Sequence, residues 1–268
     1  MTITRAEKAA YNDYIKEFKS EIDESNRKIK DLGNRKRKMS SISSYYNLEI
    51  VLETIKIIML YINISDVSIE MLHIKNEGFL NNARKEIYKV LQLMEEIVGS
   101  SIDHPLKENE EYIKKIDRVN PKQVLNIIQS IHNYVNTLIE RFGESSKWKW
   151  SFVDIQGRVA VITKNIVNFS DLQKYRDPRT EYYRERQDLL KLCKHSLNEA
   201  AKHYRNRYEL SSQVPGDIIK SIDLLVFLRR INVLFGESDE AAKLKNTIDA
   251  LKARMEAEEK KKEKKKKK

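Results

Sequence analysis

Apolar side chains recur along most of this chain at alternating steps of four and three residues, the spacing of one stripe on an α-helix. Similar stripes run through 79–98, 121–142 and 218–234. The pattern predicts an all-α, multi-helix bundle of about seven to nine helices, with coiled-coil-like N- and C-terminal helices. The two terminal stripes consist of Tyr11, Ile15, Phe18, Ile22, Ile29 and Leu32 near the start and of Leu244, Ile248, Leu251 and Met255 near the end.

Few residues in the chain favour turns, and this also indicates long helices. The 268 residues include only 7 Gly and 4 Pro. An all-β fold would need many more turns, so we set it aside. Asn120, Pro121 and Gln123 form a good helix start, because Asn caps, Pro suits the first turn and Gln completes a capping box. We expect one helix over 147–169, in which Gly157 is a tolerated weak point, and another long helix opening at Asp177-Pro178.

The apolar pattern ends before the C-terminus, where lysine takes over. Residues 259–268 hold eight Lys and two Glu, which is +6 of the net charge of +11. We therefore expect one helical bundle domain over 1–256, in which residues 1–38 form an amphipathic helix able to project from the bundle. Residues 257–268 are expected to be a frayed or disordered Lys-rich tail.

Two basic clusters suggest contact with an anionic partner, either nucleic acid or an anionic membrane surface. Two further segments interleave aromatic and basic residues, as single-stranded nucleic-acid binding uses. One holds Trp148 and Trp150, of which one is expected to be exposed, and the other holds Tyr204 and Tyr208, for which burial is the better expectation. The clusters themselves consist of Arg35, Lys36, Arg37 and Lys38 at the end of the first helix and of Lys260, Lys261, Lys262 and Lys264 in the tail.

Catalytic and cofactor motifs are missing from the sequence. It contains no glycine-rich phosphate loop and no nucleophile elbow. Its single cysteine, Cys193, excludes an internal disulfide and every multi-cysteine zinc site. His195, Glu199 and His203 share one helical face, but spacing alone does not make a metal site. We expect no catalytic residues, no cofactor, no metal and no small-molecule substrate.

The sequence therefore favours a non-enzymatic scaffold or adaptor that acts through protein–protein helix packing or self-association, using the two terminal stripes. The alternative is a protein that binds nucleic acid or an anionic surface through its basic clusters and tail. An enzyme with a site hidden in the bundle core is a third hypothesis, which would need a deep pocket with convergent polar groups. The N-terminus lacks the apolar core of a secretory signal, so the expected location is cytoplasmic.

Overall fold

A computed structural model describes residues 3–106, 109–143 and 145–266, with side chains described as far as Glu258. The described residues form helices and connecting turns, without a β-strand, which confirms the predicted all-α bundle. They contain ten α-helices, slightly more than expected: α1 (Arg5–Lys38), α2 (Ser43–Leu72), α3 (Glu77–Val98), α4 (Asn109–Ile113), α5 (Pro121–Phe142), α6 (Lys149–Ile166), α7 (Phe169–Lys174), α8 (Tyr183–Arg207), α9 (Pro215–Leu234) and α10 (Ser238–Lys266).

The start of α5 shows how local sequence sets a helix boundary. The Asn120 side chain accepts a hydrogen bond from the Gln123 backbone N–H at 2.9 Å, and the Gln123 side chain accepts one from the Asn120 N–H at 3.0 Å. Pro121 occupies the first turn, where a backbone N–H has no acceptor within the helix, so its missing N–H costs no hydrogen bond. The predicted capping box is therefore confirmed.

α1 lies antiparallel to α2 along much of its length. Its stripe residues Tyr11, Ile15 and Ile22 are buried in a cluster with Ile57, Leu60 and Ile64 of α2. Phe18 and Ile29 pack at the edge of this cluster, and Leu32 is half-buried. α2 of the same chain therefore covers the stripe for which the sequence predicted a partner helix, on a helix able to project.

α2 is buried on two sides, as its continuous apolar sequence indicates. One side holds α1, and the other contributes Val51, Ile58 and Ile62 to the main core. That core is shared with α3, α5, α6, α8 and α9, while α10 adds Ile248 and Leu251. The molecule thus has one large core and a smaller cluster under α1.

α10 runs back along α9, and this accounts for the second predicted stripe. Ile248 and Leu251 are buried and Leu244 and Met255 are partly buried against the main core. The C-terminal stripe, like the first, is therefore covered by its own chain. The backbone stays helical through Lys266, whereas the sequence predicted a frayed or disordered tail from residue 257; Glu and Lys residues spaced four apart in this segment support helix.

Two predicted helices have different bounds in the structure. The helix expected over 147–169 is divided into α6 and α7, because Val167 is extended and the Asn168 side chain caps α7 by accepting from the Asp171 N–H. The helix expected to open at Asp177-Pro178 begins only at Tyr183. Asp177 instead accepts hydrogen bonds from Arg179 and stabilises a turn.

Gly157 has a packing role that its place in a helical stripe does not reveal. It is buried in α6, and a Cβ at this position would overlap the ring of Tyr204. The absence of a side chain at Gly157 therefore lets α8 approach α6 closely enough to bury Tyr204. None of the described helices is both long and apolar enough to cross a bilayer.

Candidate functional site: the basic end of the bundle

One end of the bundle brings together three segments that are far apart in sequence. There α1 and α3 end, α2 and α5 begin, and a 3₁₀ turn over Lys114–Ile116 precedes α5. Tyr45 connects them: its hydroxyl donates to Asp117 Oδ1 at 2.5 Å and accepts from the Arg118 N–H at 3.2 Å. Donation to that carboxylate raises the pKa of Tyr45, since losing the proton would break the bond.

Ion pairing within the chain uses half of the predicted cluster at the end of α1. Arg35 pairs with Asp31 at 2.8 Å, and Lys36 pairs with Glu96 at 2.6 Å. Arg37 and Lys38 are exposed, and no carboxylate of the described residues lies within ion-pair distance of either. The predicted cluster therefore contributes two available charges rather than four.

Cations from the 3₁₀ turn and from the first turn of α5 lie at the same end. They are exposed and, like Arg37 and Lys38, have no ion-pair partner among the described residues. The Lys115 ammonium lies 4.8 Å from the centre of the Tyr112 ring. We refer to this set as the basic end: Arg37, Lys38, Lys114, Lys115, Arg118 and Lys122.

A cavity of about 670 Å³ opens at the same end, between the 3₁₀ turn, the start of α5, the connection from α6 to α7, and the first turns of α8. Lys114 and Arg118 of the basic end line it, together with Lys174 and Arg186. Its apolar wall includes Ile113, Ile116, Val119, Val124, Leu172 and Leu189. The sequence offered no sign of this cavity, because its walls come from three separate segments, 110–124, 166–174 and 186–189.

The acidic groups in the cavity wall are partly engaged. Glu110 accepts a hydrogen bond from the Ser170 hydroxyl, and Asp117 accepts the one from Tyr45. Asp171 is the third carboxylate of the wall. Cations are therefore in excess at the opening, and two of the three acids are already bound by neutral donors.

Arg186 is the cation most closely held by the wall. Its guanidinium carbon lies 4.8 Å from the centre of the Tyr175 ring, and Nη2 donates to the Glu181 carbonyl at 2.5 Å. Its Nε is buried and has no hydrogen-bond partner among the described residues. A buried donor without an acceptor is unfavourable, so holding Arg186 in this position lowers stability slightly.

The second predicted basic cluster lies at the other end of the bundle, which we call the far end. α10 reaches it beside the end of α8, where Arg254 pairs with Glu209 at 2.5 Å. Lys260, Lys261, Lys262 and Lys264 follow on helical backbone, and their side chains lie outside those described. The two clusters that the sequence grouped as one anionic contact are therefore at opposite ends.

A buried ion-pair network holds the far end together. Arg207 pairs with Asp154 at 2.7 Å and with Asp217 at 2.5 Å, and donates to the Trp150 carbonyl at 3.0 Å. The Arg207 side chain is only 12% exposed, so these partners replace most of its water. The network joins α6, α8 and α9.

The aromatic residues that suggested nucleic-acid stacking are used in packing. Tyr204 and Tyr208 are buried, as expected. Trp148 and Trp150 are both partly buried against the core, and the Arg84 guanidinium lies 3.8 Å from the Trp148 ring centre. The expectation that one tryptophan is exposed as an anchor is therefore wrong, because Arg84 of α3 covers Trp148 and both rings contact the core.

Three histidines line a smaller pocket of about 240 Å³ between α5, α6 and α8: His132, His195 and His203. His195 and His203 are two helical turns apart, about 12 Å along the axis, too far to ligate one ion together. Glu199 between them pairs with Lys202 at 2.7 Å. In the described parts of the chain, no three His, Cys, Asp or Glu side chains are grouped to hold a metal ion.

His132 is the most buried of these rings, and its Nε2 lies 3.0 Å from the Thr163 hydroxyl. Burial lowers the pKa of His132 to about 4, since the charged ring would lose its water. Burial also lowers the pKa of His203, which the Glu199 charge partly offsets. At neutral pH the His132 ring is therefore uncharged.

The reactive groups inside the core are held in inactive forms. Burial raises the pKa of the Cys193 thiol to about 12, so it stays protonated at neutral pH and is a poor nucleophile. Lys164 is fully buried, and its ammonium donates to the carbonyls of Ile102 and His104 at 2.7 and 2.8 Å. Burial lowers the pKa of Lys164 to about 8. Lys164 thereby anchors the connection after α3, a role that its apolar sequence surroundings do not indicate.

Comparison with known proteins places the chain in a family. Neither the curated proteins nor the solved structures include one that matches it significantly. A family model matches residues 7–259, which extend from the first turns of α1 well into α10 and so take in the whole core, the basic end and its cavity. The chain belongs to the TP0443 family.

Proposed function

We propose that the protein is a non-enzymatic helical adaptor that binds an acidic segment of a partner protein at the basic end. The observation that carries the proposal is the convergence of cations from two segments far apart in the sequence, the end of α1 and residues 114–122, at one end of the bundle, without ion-pair partners among the described residues. Solvated cations of one sign attract an anionic partner over several ångströms and raise the association rate. A rigid bundle fixes their arrangement.

This proposal changes the surface that the sequence favoured for protein binding. The terminal stripes are buried by α1–α2 and α9–α10 packing within the chain. A partner protein must therefore bind another surface. The basic end remains exposed. A protein partner is favoured over a bare polyanion because Lys114 and Arg118 of the basic end line an opening with an apolar wall, where an apolar side chain can be desolvated.

The test uses charge reversal at the basic end. The variant Lys38→Glu/Lys114→Glu/Arg118→Glu is compared with the control Lys16→Glu/Lys19→Glu, in which two exposed cations on the first half of α1 are reversed instead. Binding is measured by fluorescence anisotropy with a short labelled peptide of Glu, Asp and Phe residues. Wild type and control should bind it, and the triple variant should lose about tenfold or more in affinity.

Salt and competing probes decide the class of partner. Affinity for the acidic peptide should fall as salt rises, since exposed charges are screened. An RNA oligonucleotide and anionic vesicles are measured alongside it. If either binds more tightly than the peptide and is lost in the triple variant, the protein-partner proposal is overturned; if wild type and triple variant bind the peptide equally, the basic end is not the site.

A second candidate, nucleic-acid binding, is favoured by the helical continuation of α10 into the lysine run. The eight lysines of this run would neutralise several backbone phosphates and release counterions, so binding would weaken steeply with salt. Removing residues 257–268 should then abolish binding to an RNA or DNA oligonucleotide while the peptide binding described above is unchanged. Equal oligonucleotide binding by the full-length and shortened chains would exclude this candidate.

A further inference from the structure

We infer that the cavity at the basic end is a specificity pocket that receives one large apolar side chain of the partner's acidic segment. The inference rests on the proposed function and names what the bound segment must contain. It must carry a residue such as Phe or Leu with carboxylates on the flanking positions.

The size and lining of the cavity support an apolar occupant. At about 670 Å³ it falls within the range of pockets that enclose ligands, and it is therefore ample for one aromatic or branched side chain. Ile116, Leu172 and Leu189 are buried in its wall, while Val119 and Val124 are partly buried and face it from the start of α5. An apolar side chain placed there removes water from its own surface and from the wall, which is the general driving force of anchor residues.

The charges around the opening select the residues that flank this anchor. Lys114, Arg118 and Lys174 are exposed, line the cavity and have no ion-pair partner among the described residues. Carboxylates beside the anchor would therefore meet cations, whereas lysines or arginines there would be repelled. Glu110, Asp117 and Asp171 also line the cavity, so the excess of positive charge is small, and more than a few acidic groups on the partner are disfavoured.

Arg186 adds a fourth cation to the cavity wall, beside Lys114, Arg118 and Lys174. Its Nη2 is bound to the Glu181 carbonyl and its Nε is enclosed, so it contributes positive charge rather than an open hydrogen-bond donor. The cavity thus combines an apolar wall with a cationic opening.

The decisive experiment changes the peptide rather than the protein, so protein folding does not affect it. Two labelled peptides are compared on the full chain, one with a central Phe flanked by Glu residues and one with Ala in place of that Phe. Loss of a buried aromatic side chain should weaken binding about tenfold or more. A third peptide with the Phe kept and the Glu residues changed to Gln measures the charge contribution separately.

A protein variant then tests whether the Phe side chain of the peptide binds in the cavity. Val124→Phe fills the space from α5 and should abolish the preference for Phe over Ala, while Val124→Ile is the conservative control that keeps it. Leu52→Phe adds an aromatic ring at an exposed site on α2 and should change nothing. Thermal melts confirm that each variant is folded before affinities are compared.

The outcomes separate this inference from the proposed function. Equal binding of the Phe and Ala peptides, with both lost in Lys38→Glu/Lys114→Glu/Arg118→Glu, would overturn the pocket and leave the acidic-partner function standing. Binding of neither peptide would overturn both. A Phe preference that survives Val124→Phe would place the anchor elsewhere and so refute the cavity as its site.

Discussion

Acidification should destabilise the fold through His132, and the size of the effect follows from its burial. The ring lies between α5, α6 and α8 and is uncharged in the folded protein, where burial lowers its pKa from 6.5 to about 4. The unfolded chain exposes the ring and protonates it near the ordinary value. Between these two pKa values the unfolded state binds more protons, so stability must fall as pH falls.

The magnitude can be worked from the two pKa values. At a pH above the pKa of the unfolded chain, the ring is neutral in both states, and the loss of unfolding free energy is close to zero. At about pH 5 the unfolded ring is almost fully protonated while the folded ring is mostly neutral, which removes about 2 kcal/mol from the free energy of unfolding. At a pH below the pKa of the folded protein, the loss of unfolding free energy levels off at about 3 kcal/mol.

Urea denaturation followed by far-ultraviolet circular dichroism at several pH values measures this loss. Other groups titrate too, so the informative quantity is the difference between wild type and His132→Gln, whose amide can still bond to the Thr163 hydroxyl. The stability of wild type relative to this variant should drop by about 2 kcal/mol between neutral pH and about pH 5. His73→Asn is the matched control, because His73 is exposed and its φ of 54° suits Asn.

Parallel pH profiles for wild type and His132→Gln would refute the reasoning. They would mean that His132 is protonated in the folded protein without cost, and hence that the pocket admits enough water or counter-charge to solvate it. A profile that diverges only for His73→Asn would likewise contradict the assignment of the effect to burial.

Three further predictions concern the packing and the helix ends. Gly157→Ala should lower the free energy of unfolding by about 1–3 kcal/mol, because the added methyl group overlaps the ring of Tyr204; urea titration measures it, and a neutral result would show that α6 and α8 can separate freely. Arg207→Met should remove about 2–3 kcal/mol, mainly by leaving the buried Asp217 without its cation, since Asp154 is 42% exposed and keeps its pairing with Lys220; a melting temperature equal to that of wild type would argue against a buried network. Asn120→Ala should remove about 1 kcal/mol through loss of the α5 cap, while Asn120→Ser should restore most of it; urea titration of both variants checks this, and equal stabilities would show that the cap contributes little.

The helices themselves could be read from the sequence because their signals are local. The α5 start depends on residues within four positions of one another, and the stripe of α1 depends on a fixed step along one helix. What covers a stripe is not a local property. A second chain could in principle pack against the narrow apolar stripe of α1. α2 packs there instead, because the short connection after Lys38 returns the chain antiparallel to α1.

The candidate site could be predicted only in part, and the reason is again distance along the chain. Arg37 and Lys38 stood out as a run of like charges, but Arg118 and Arg186 lie far apart in the sequence and line one cavity only after folding. Lys164 is a residue whose burial could not be predicted from the sequence. A lysine is expected to be exposed, but the two backbone carbonyls after α3 accept hydrogen bonds from its ammonium and make its burial tolerable.

The two lysine- and arginine-rich regions lie at opposite ends of the bundle, and their separation sets a minimum length for a ligand that binds both. α2 spans the bundle from the basic end toward the far end with 30 residues, a length of about 45 Å. A small acidic peptide can engage one region at a time, so two such ligands could be held at once without competing. A single ligand that bridges both must be an extended chain of at least that length, and its binding would gain from tethering in a way that separate ligands could not.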